Sequence, residues 1–183
     1  LDPDFIIKRF YKGKKILRQA DFFAKYYTPE MHEQVRPFIE RRLLKIINQI
    51  GNAPLFLAKD KHQTFQKIDL QTEKATMLFH FRRNEEGTNY FATIKLNEQK
   101  ILFSENGSEL IVSEPAWLLA DNKLFTFKKN TDGNKIKPFL NKKFIVIPPK
   151  NEAVYFEKFV TGLIEQHDVY AEGFEILPEQ YVA

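Results

Sequence analysis

Apolar residues recur at helical spacing between Thr28 and Gly51, which predicts one long helix. The stripe consists of Met31, Val35, Phe38, Ile39, Leu43, Ile46, Ile47 and Ile50. Thr28 is a favoured N-cap residue, Pro29 suits the first helical position, and Gly51 ends the periodicity. Because Pro37 removes a backbone donor inside the helix, we expect a kink or a restart there.

Short β-branched and aromatic runs, separated by turn residues, predict strands in the following part of the chain. These strands are Leu55–Ala58, Thr64–Leu70, Thr76–Phe81, Tyr90–Leu96, Lys100–Phe103 and Leu110–Val112. Asn106-Gly107 suits a two-residue type I′ hairpin, and Glu86-Gly87 marks another turn. We therefore expect an antiparallel meander. Its solvent face would carry Arg82, Arg83, Lys95 and Lys100.

Residues 113–143 combine one more predicted hairpin with a basic loop. Asp121-Asn122 suits a turn between the strands Ala116–Ala120 and Leu124–Phe127. Trp117 is interpreted as a core anchor, with a stacking platform as the alternative. The loop over 128–143 carries six lysines and one acid, Asp132.

The last part of the chain predicts a strand, a helix and a second strand. Phe144–Ile147 is an unbroken run typical of a strand buried on both faces, and Pro148-Pro149 ends it. Asn151 suits the N-cap of a helix. The apolar stripe of that helix is Phe156, Phe159, Val160, Leu163 and Ile164. Val169–Ile176 alternates and indicates the second strand.

The predicted fold class is therefore α+β, mainly an antiparallel β-sheet or meander with an N-terminal helix and a C-terminal strand-helix-strand unit packed on it. At 183 residues, 43% of them hydrophobic, the chain suits a single domain, 1–183. Its parts would be a basic, helical part at 1–50, a β-rich part at 51–148, and a helix with the final strand at 149–183. Because the chain begins at Leu1, we expect it to be a piece of a longer polypeptide.

The absence of cysteine excludes disulfides, thiol nucleophiles and cysteine-based zinc sites. Charged residues replace the apolar part of a signal peptide, and no apolar run could span a bilayer, so we expect a cytoplasmic protein without a membrane partner.

The net charge of +4 is placed unevenly, with the basic excess in residues 1–50. Two clusters interleave or follow aromatic residues, one near the N-terminus and one in the loop 128–143. Such cations can follow a phosphate backbone, and a solvated amphipathic edge is the alternative interpretation. The candidate nucleic-acid contacts are Lys8, Arg9, Lys12, Lys14, Lys15, Arg18, Arg82, Arg83, Lys128, Lys129, Lys135, Lys137, Lys142 and Lys143.

The sequence carries no recognisable reaction centre. Gly13-Lys14 lacks the other residues of a phosphate-binding loop, and no GxSxG occurs. The histidines show neither the spacing nor the cysteine neighbours of a metal site, so we interpret them as structural. They are His32, His62, His80 and His167. Paired carboxylates such as Glu85-Glu86 are interpreted as surface solvation. We expect no catalytic residue, metal or cofactor in this chain.

Four long runs resemble a known family. They are FHFRRNEEGTNYFATIKL (Phe79–Leu96), EPAWLLADNKLFTF (Glu114–Phe127), KIKPFLNKKFIVIPP (Lys135–Pro149) and YFEKFVTGLIEQHDVYAEGFEI (Tyr155–Ile176). They resemble the non-motor accessory region that precedes the ATPase core of some bacterial Swi/Snf-type helicases.

The resemblance implies an accessory, DNA-binding domain on a nucleotide-binding hydrolase. ATP and Mg²⁺ would belong to the parent motor only. The implied partners are DNA or RNA and the helicase motor domains of the same polypeptide. The alternative is a protein-protein interaction or autoinhibitory module that does not bind nucleic acid.

Overall fold

The computed structural model describes residues 28–58, 65–103, 107–129 and 131–173, and the chain divides into two units, Leu1–Gly51 and Asn52–Ala183. The predicted N-terminal basic cluster lies outside the described residues. So do the start of the predicted strand at Thr64 and the end of the last strand at Ile176.

The predicted long helix is confirmed as α1, Pro29–Ile50. The Thr28 hydroxyl accepts a hydrogen bond from the backbone N–H of Met31 at 3.3 Å, and Gly51 follows the last turn with a φ of 57°. The helix is continuous through Pro37, so a restart there is not observed. Local capping signals therefore determine both ends of this element.

The described residues of the second unit form two β-sheets. Their strands are β1 Leu55–Ala58, β2 Phe65–Leu70, β3 Thr76–Asn84, β4 Gly87–Leu96, β5 Gln99–Ile101, β6 Ser108–Ser113, β7 Ala116–Ala120, β8 Lys123–Thr126, β9 Ile145–Ile147 and β10 Asp168–Glu172. With the helices described below, they confirm the predicted α+β class.

The first sheet has the strand order β1-β2-β8-β7-β6. Neighbouring strands are antiparallel except for β2 and β8, which are parallel. Ala75 continues this parallel contact beyond β2, since its N–H donates to Thr126 at 2.8 Å and its carbonyl accepts from Lys128 at 2.7 Å. The first residue before β3 is thereby bonded to β8, which joins the two sheets.

The second sheet has the order β10-β3-β4, and β4 then pairs with both β9 and β5. The start of β4 is bonded to β9 and its end to β5, while β10 runs parallel to β3. A simple meander would leave β10 beside β9, its neighbour along the chain. The strand-helix-strand unit instead places β3 and β4 between its two strands.

Two helices and a π-helical turn connect β9 to β10. They are α3 Pro149–Tyr155, the π-helical turn Phe156–Val160 and α4 Thr161–Gln166. Asn151 is not the N-cap as predicted, because Pro149, whose φ is already helical, begins the helix two residues earlier. The strand before it is not buried on both faces, since Val146 is 43% exposed and Phe144 47%.

Aromatic rings fill the core that lies between the second sheet and these helices. Phe81 on β3 stacks on Tyr90 of β4, with ring centroids 4.6 Å apart, and contacts Phe156 of the π-helical turn at 5.4 Å. Phe139 meets Tyr90 edge-on at 5.0 Å. The first sheet adds apolar side chains such as Phe125 to the same core. This burial holds the C-terminal helices against the sheet.

Residues 128–143, predicted as a loop, contain helical structure. Asp132 caps α2, Gly133–Ile136, by accepting hydrogen bonds from two backbone N–H groups, and a 3₁₀ turn, Lys137–Phe139, follows. Ile136 and Phe139 are only 0% and 1% exposed. The pattern was missed because its apolar residues, Ile136, Phe139 and Leu140, are few and are interrupted by lysine and proline.

The predicted turns have different outcomes. The Asp121-Asn122 turn is confirmed, with φ values of 51° and 57° between β7 and β8. The Asn106-Gly107 hairpin is wrong, because β5 pairs with β4 in one sheet and β6 with β7 in the other. Asn106 itself lies outside the described residues, and Gly107 has a positive φ of 71°.

Candidate nucleic-acid interface

The predicted cations fall into three groups in the structure. The first group, Lys8, Arg9, Lys12, Lys14, Lys15 and Arg18, lies outside the described residues. The second group is Arg82 and Arg83 on β3, and the third is the set of lysines in residues 128–143, which we call the basic segment. The structure describes the last two groups.

Arg82 and Arg83 do not share one solvent face, which corrects the prediction. Side chains alternate along a strand, so the two arginines point to opposite faces of the second sheet. Arg82 pairs with Glu172 of β10 at 2.7 Å, and its guanidinium lies 5.7 Å from the ring centre of Phe91. Arg83 pairs with Glu152 of α3 at 3.0 Å. Each arginine therefore pairs with a carboxylate in this structure, although the exposed pair of Arg82 with Glu172 is weak.

The basic segment displays four lysines on a folded support. Lys128, Lys137, Lys142 and Lys143 are exposed. Within the described part of the chain, none of the four lies within ion-pair distance of a carboxylate. Lys137 lies between the buried anchors Ile136 and Phe139. An anionic partner would meet these charges without first displacing an acid.

The remaining two lysines of the basic segment contact the start of β10. Lys129 Nζ lies 3.6 Å from Asp168 Oδ1, and Lys135 Nζ lies 2.9 Å from Gln166 Oε1 and 3.2 Å from His167 Nε2. Since an ammonium group only donates, His167 Nε2 accepts this hydrogen bond and carries no proton. The basic segment is thereby attached to the end of α4 and to β10.

The pKa of His167 reflects the charges around the contact between the basic segment and β10. The imidazole is buried, with its ring centre 5.2 Å from that of Phe79. Burial lowers the pKa of His167 below its ordinary value, and the positive charges of Lys135 and Lys129 lower it further, against the opposing charges of Asp168 and Asp132. The surroundings of His167 therefore favour a neutral imidazole.

Three rings form a stack on the outer face of the second sheet. Tyr170 of β10, His80 of β3 and Phe91 of β4 occupy directly paired positions. The centroid distances are 5.4 Å from Tyr170 to His80 and 4.8 Å from His80 to Phe91, with interplanar angles of 19° and 9°. We call these residues the ring stack. His80 Nε2 lies within hydrogen-bond distance of the buried Thr93 hydroxyl, at 2.8 Å, which fixes the central ring.

An open cavity of about 470 Å³ lies beside the ring stack. Its lining residues are Ile164, His167, Asp168, Val169, Tyr170 and Ala171. They belong to α4, to β10 and to the residue between them, and none comes from β3, so the cavity runs along the edge of β10 that does not pair with β3. We call it the edge groove. Tyr170 forms part of its wall, and Lys129 and Lys135 contact two of its other lining residues.

A second open cavity, of about 520 Å³, lies on the first sheet and has a different character. The charged groups among its described lining residues are Glu109 and Asp121, both acidic. Unlike the edge groove, this cavity has no aromatic side chain among its described lining residues. Among the described residues no group of three or more His, Asp or Glu side chains converges as a metal site would require.

The chain matches no protein-family model, no curated protein and no solved structure. In the part of the chain that the structure describes, no helix combines the length and the apolar character needed to cross a membrane.

Sequence reasoning missed the ring stack and the edge groove. The antiparallel pairing of β3 with β4 brings His80 beside Phe91, and the parallel pairing of β10 with β3 adds the distant Tyr170. The alternation of Val169, Tyr170 and Ala171 was the available signal, because it places Tyr170 on the face opposite to the half-buried Val169. The interpretation of the histidines as structural stays a prediction, and His62 lies outside the described residues.

Proposed function

We propose that this chain is a non-catalytic accessory domain that contacts nucleic acid through the basic segment. The observation that carries the proposal is the display of Lys128, Lys137, Lys142 and Lys143, which are exposed, lack a carboxylate partner among the described residues, and stand on a folded support. Lysines of this kind neutralise phosphates and release counterions whatever the base sequence.

The resemblance of four sequence runs to Swi/Snf-type helicases supports a parent protein with a DNA-dependent motor. In that setting the accessory domain holds the nucleic acid beside the translocating motor, and ATP hydrolysis with its Mg²⁺ belongs to the motor. A sequence-independent contact suits this task, because a motor passes over every sequence.

The test is a salt titration of binding to labelled duplex and single-stranded DNA. A variant with Lys128, Lys137, Lys142 and Lys143 changed to Gln is compared with a control in which the exposed Lys67, Lys74, Lys100 and Lys150 are changed to Gln. Both variants remove the same amount of charge. We expect the slope of log affinity against log salt to fall by about 0.7–0.9 for each phosphate that is no longer neutralised, and only in the first variant.

Two outcomes contradict the proposal. One is the absence of binding by the unmodified chain at about 50 mM salt, where electrostatic binding is strong. The other is an equal change of slope in the two variants, which would mean that net charge alone acts and that the basic segment is not the contact surface.

A second candidate function is docking on the motor or another protein without nucleic-acid binding. Phe144 and Val146 favour it, because both apolar side chains are more than 40% exposed at β9. The ATP turnover of the parent protein, measured with and without residues 1–183, distinguishes the two. An interaction or autoinhibitory module changes turnover in the absence of DNA, whereas a nucleic-acid contact changes it only when DNA is present.

A further inference from the structure

We propose that the edge groove binds one unpaired base of a single-stranded nucleic acid, with the base stacked on Tyr170 and its phosphate held by Lys129 and Lys135. This inference rests on the proposed function and names the form of nucleic acid that the domain selects. It is carried by the geometry of the ring stack, the position of the groove and the placement of the two lysines.

The ring stack ends at a sheet edge. Its three rings lie nearly parallel, and their spacing is close to the distance between neighbouring strands, about 4.8 Å. The rings therefore stand side by side across three strands with their faces towards one another. Tyr170 is the outermost ring and is 53% exposed. In the described part of the chain no further ring continues the stack beyond Tyr170.

A nucleobase fits the next place in this stack. It is flat, has a π face, and gains stacking energy on an aromatic side chain whatever its identity. The edge groove lies where that ring would be added, and its volume falls within the range of about 300–1,000 Å³ that is usual for small-molecule sites.

Lys129 and Lys135 lie where they could bind the phosphate of the same nucleotide. Asp168 and Tyr170 lie on one face of β10, two residues and thus about 7 Å apart, which is the scale of one nucleotide. Lys129 contacts Asp168, and Lys135 contacts the neighbouring His167. Because Lys129 and Asp168 are both about half exposed, their pair is weak and a phosphate can compete for the lysine.

The site selects single strands because a base inside a duplex offers only its edges. Its faces are covered by neighbouring bases, so it would have to be extruded before it could stack on Tyr170. An extended peptide could instead add to the edge of β10 through backbone hydrogen bonds. Such a peptide needs neither an aromatic stack nor two lysines, so these side chains favour a nucleotide.

The experiment uses the full chain and a short single-stranded DNA that contains 2-aminopurine, with a duplex of the same sequence for comparison. Tyr170→Ala is paired with Tyr170→Phe, which retains the ring. The matched control is Phe56→Ala, which removes a ring of similar exposure, 56%, from β1 of the first sheet.

We expect the unmodified chain to quench 2-aminopurine fluorescence on binding. Tyr170→Ala should weaken single-strand affinity about 10-fold and abolish the quenching, because the base then has no ring on which to stack. Tyr170→Phe should stay within about 2-fold of the unmodified chain, since the ring remains. Phe56→Ala should change nothing, and duplex affinity should be the same in all variants.

The inference is overturned if Tyr170→Ala binds single strands as the unmodified chain does, if it weakens duplex binding equally, or if Phe56→Ala has the same effect. Quenching in the unmodified chain is an independent readout should Tyr170→Ala fail to fold, and its absence also overturns the inference. These results leave the proposed function in place, whereas no binding of either DNA by the unmodified chain removes both.

Discussion

The hydroxyl of Thr88, at the start of β4, donates a 2.7 Å hydrogen bond to the Glu152 carboxylate in the first turn of α3. Thr88 is fully buried, and the other carboxylate oxygen of Glu152 pairs with Arg83 Nη2 at 3.0 Å. One side chain therefore links the hairpin of β3 and β4 to the helix that follows β9. Its position near the N-terminus of α3 also suits its negative charge.

Glu152→Ala should lower the free energy of unfolding by about 1–3 kcal/mol, because it leaves the buried Thr88 hydroxyl without its acceptor. Urea unfolding measures the decrease. Glu172→Ala is the control, since its pair with Arg82 is more than half exposed on both sides and should contribute at most about 1 kcal/mol. Equal decreases in the two variants would show that the buried hydroxyl finds another acceptor.

Gly87→Ala should destabilise the fold by about 1–3 kcal/mol, because Gly87 has a φ of 141° that other residues rarely adopt. A Cβ there would also overlap the carbonyl oxygen of Ile147 and push β9 away from β4. Thermal unfolding of the variant measures the effect.

Gly162→Ala is the control for this substitution, and we expect its effect on stability to have the opposite sign. Gly162 lies in α4, and a Cβ added there would meet no atom within 4 Å. We expect stabilisation by about 0.5–1 kcal/mol, because alanine has the better helix propensity. Destabilisation of both variants would contradict the difference in their surroundings.

Phe139→Ala should reduce the free energy of unfolding by about 3–5 kcal/mol, since it opens a cavity among Phe79, Tyr90 and Phe103. It should also weaken nucleic-acid binding, because Phe139 anchors the basic segment. Phe144→Ala removes an exposed ring five residues away and should stay within about 0.5 kcal/mol in a urea titration. A similar reduction from both would mean that Phe139 is less tightly packed than its ring contacts indicate.

Acidification should destabilise the protein as the pH falls below 6.5, the ordinary pKa of histidine. Burial is the main cause that lowers the pKa values of both His167 and His80 in the folded state. Lys135 and Lys129 add to the shift at His167, and Lys100 and Arg82 add to it at His80. The unfolded chain therefore binds more protons than the folded chain in this range, so stability is retained above pH 6.5 and lost below it. At His167 the added proton would also face the ammonium group of Lys135 at 3.2 Å.

Urea unfolding between about pH 7.5 and 5.5 checks this expectation, because carboxylates stay ionised there while histidines titrate. His167→Gln retains an acceptor for Lys135 but cannot be protonated, so its stability should depend less on pH. A stability that increases on acidification would contradict the sign of both shifts.

Local signals made α1 predictable. The cap at Thr28, the first-turn Pro29 and the terminal Gly51 act within a few residues, and no distant partner overrides them. The Asp121-Asn122 turn was predictable for the same reason, because both residues tolerate the positive φ that the turn requires.

The sheet partners were not predictable, because they depend on contacts between distant segments. Nothing near Asn106-Gly107 indicates that β5 and β6 belong to different sheets. The candidate site was predicted only in part, for the same reason. Six lysines marked the basic segment, whereas its attachment to His167 and the alignment of Tyr170 with His80 exist only once β10 has paired with β3.

The π-helical turn between α3 and α4 has one more consequence. Each such turn accommodates an extra residue, so it offsets the angular phase of everything beyond it. If the same residues were wound as a regular α-helix instead, the extra residue would rotate α4 by about 100° about its axis. Leu163 would then leave the core, and the side chains of β10 would no longer align with those of β3. The proposed base-binding edge therefore depends on the one extra residue that the π-helical turn contains.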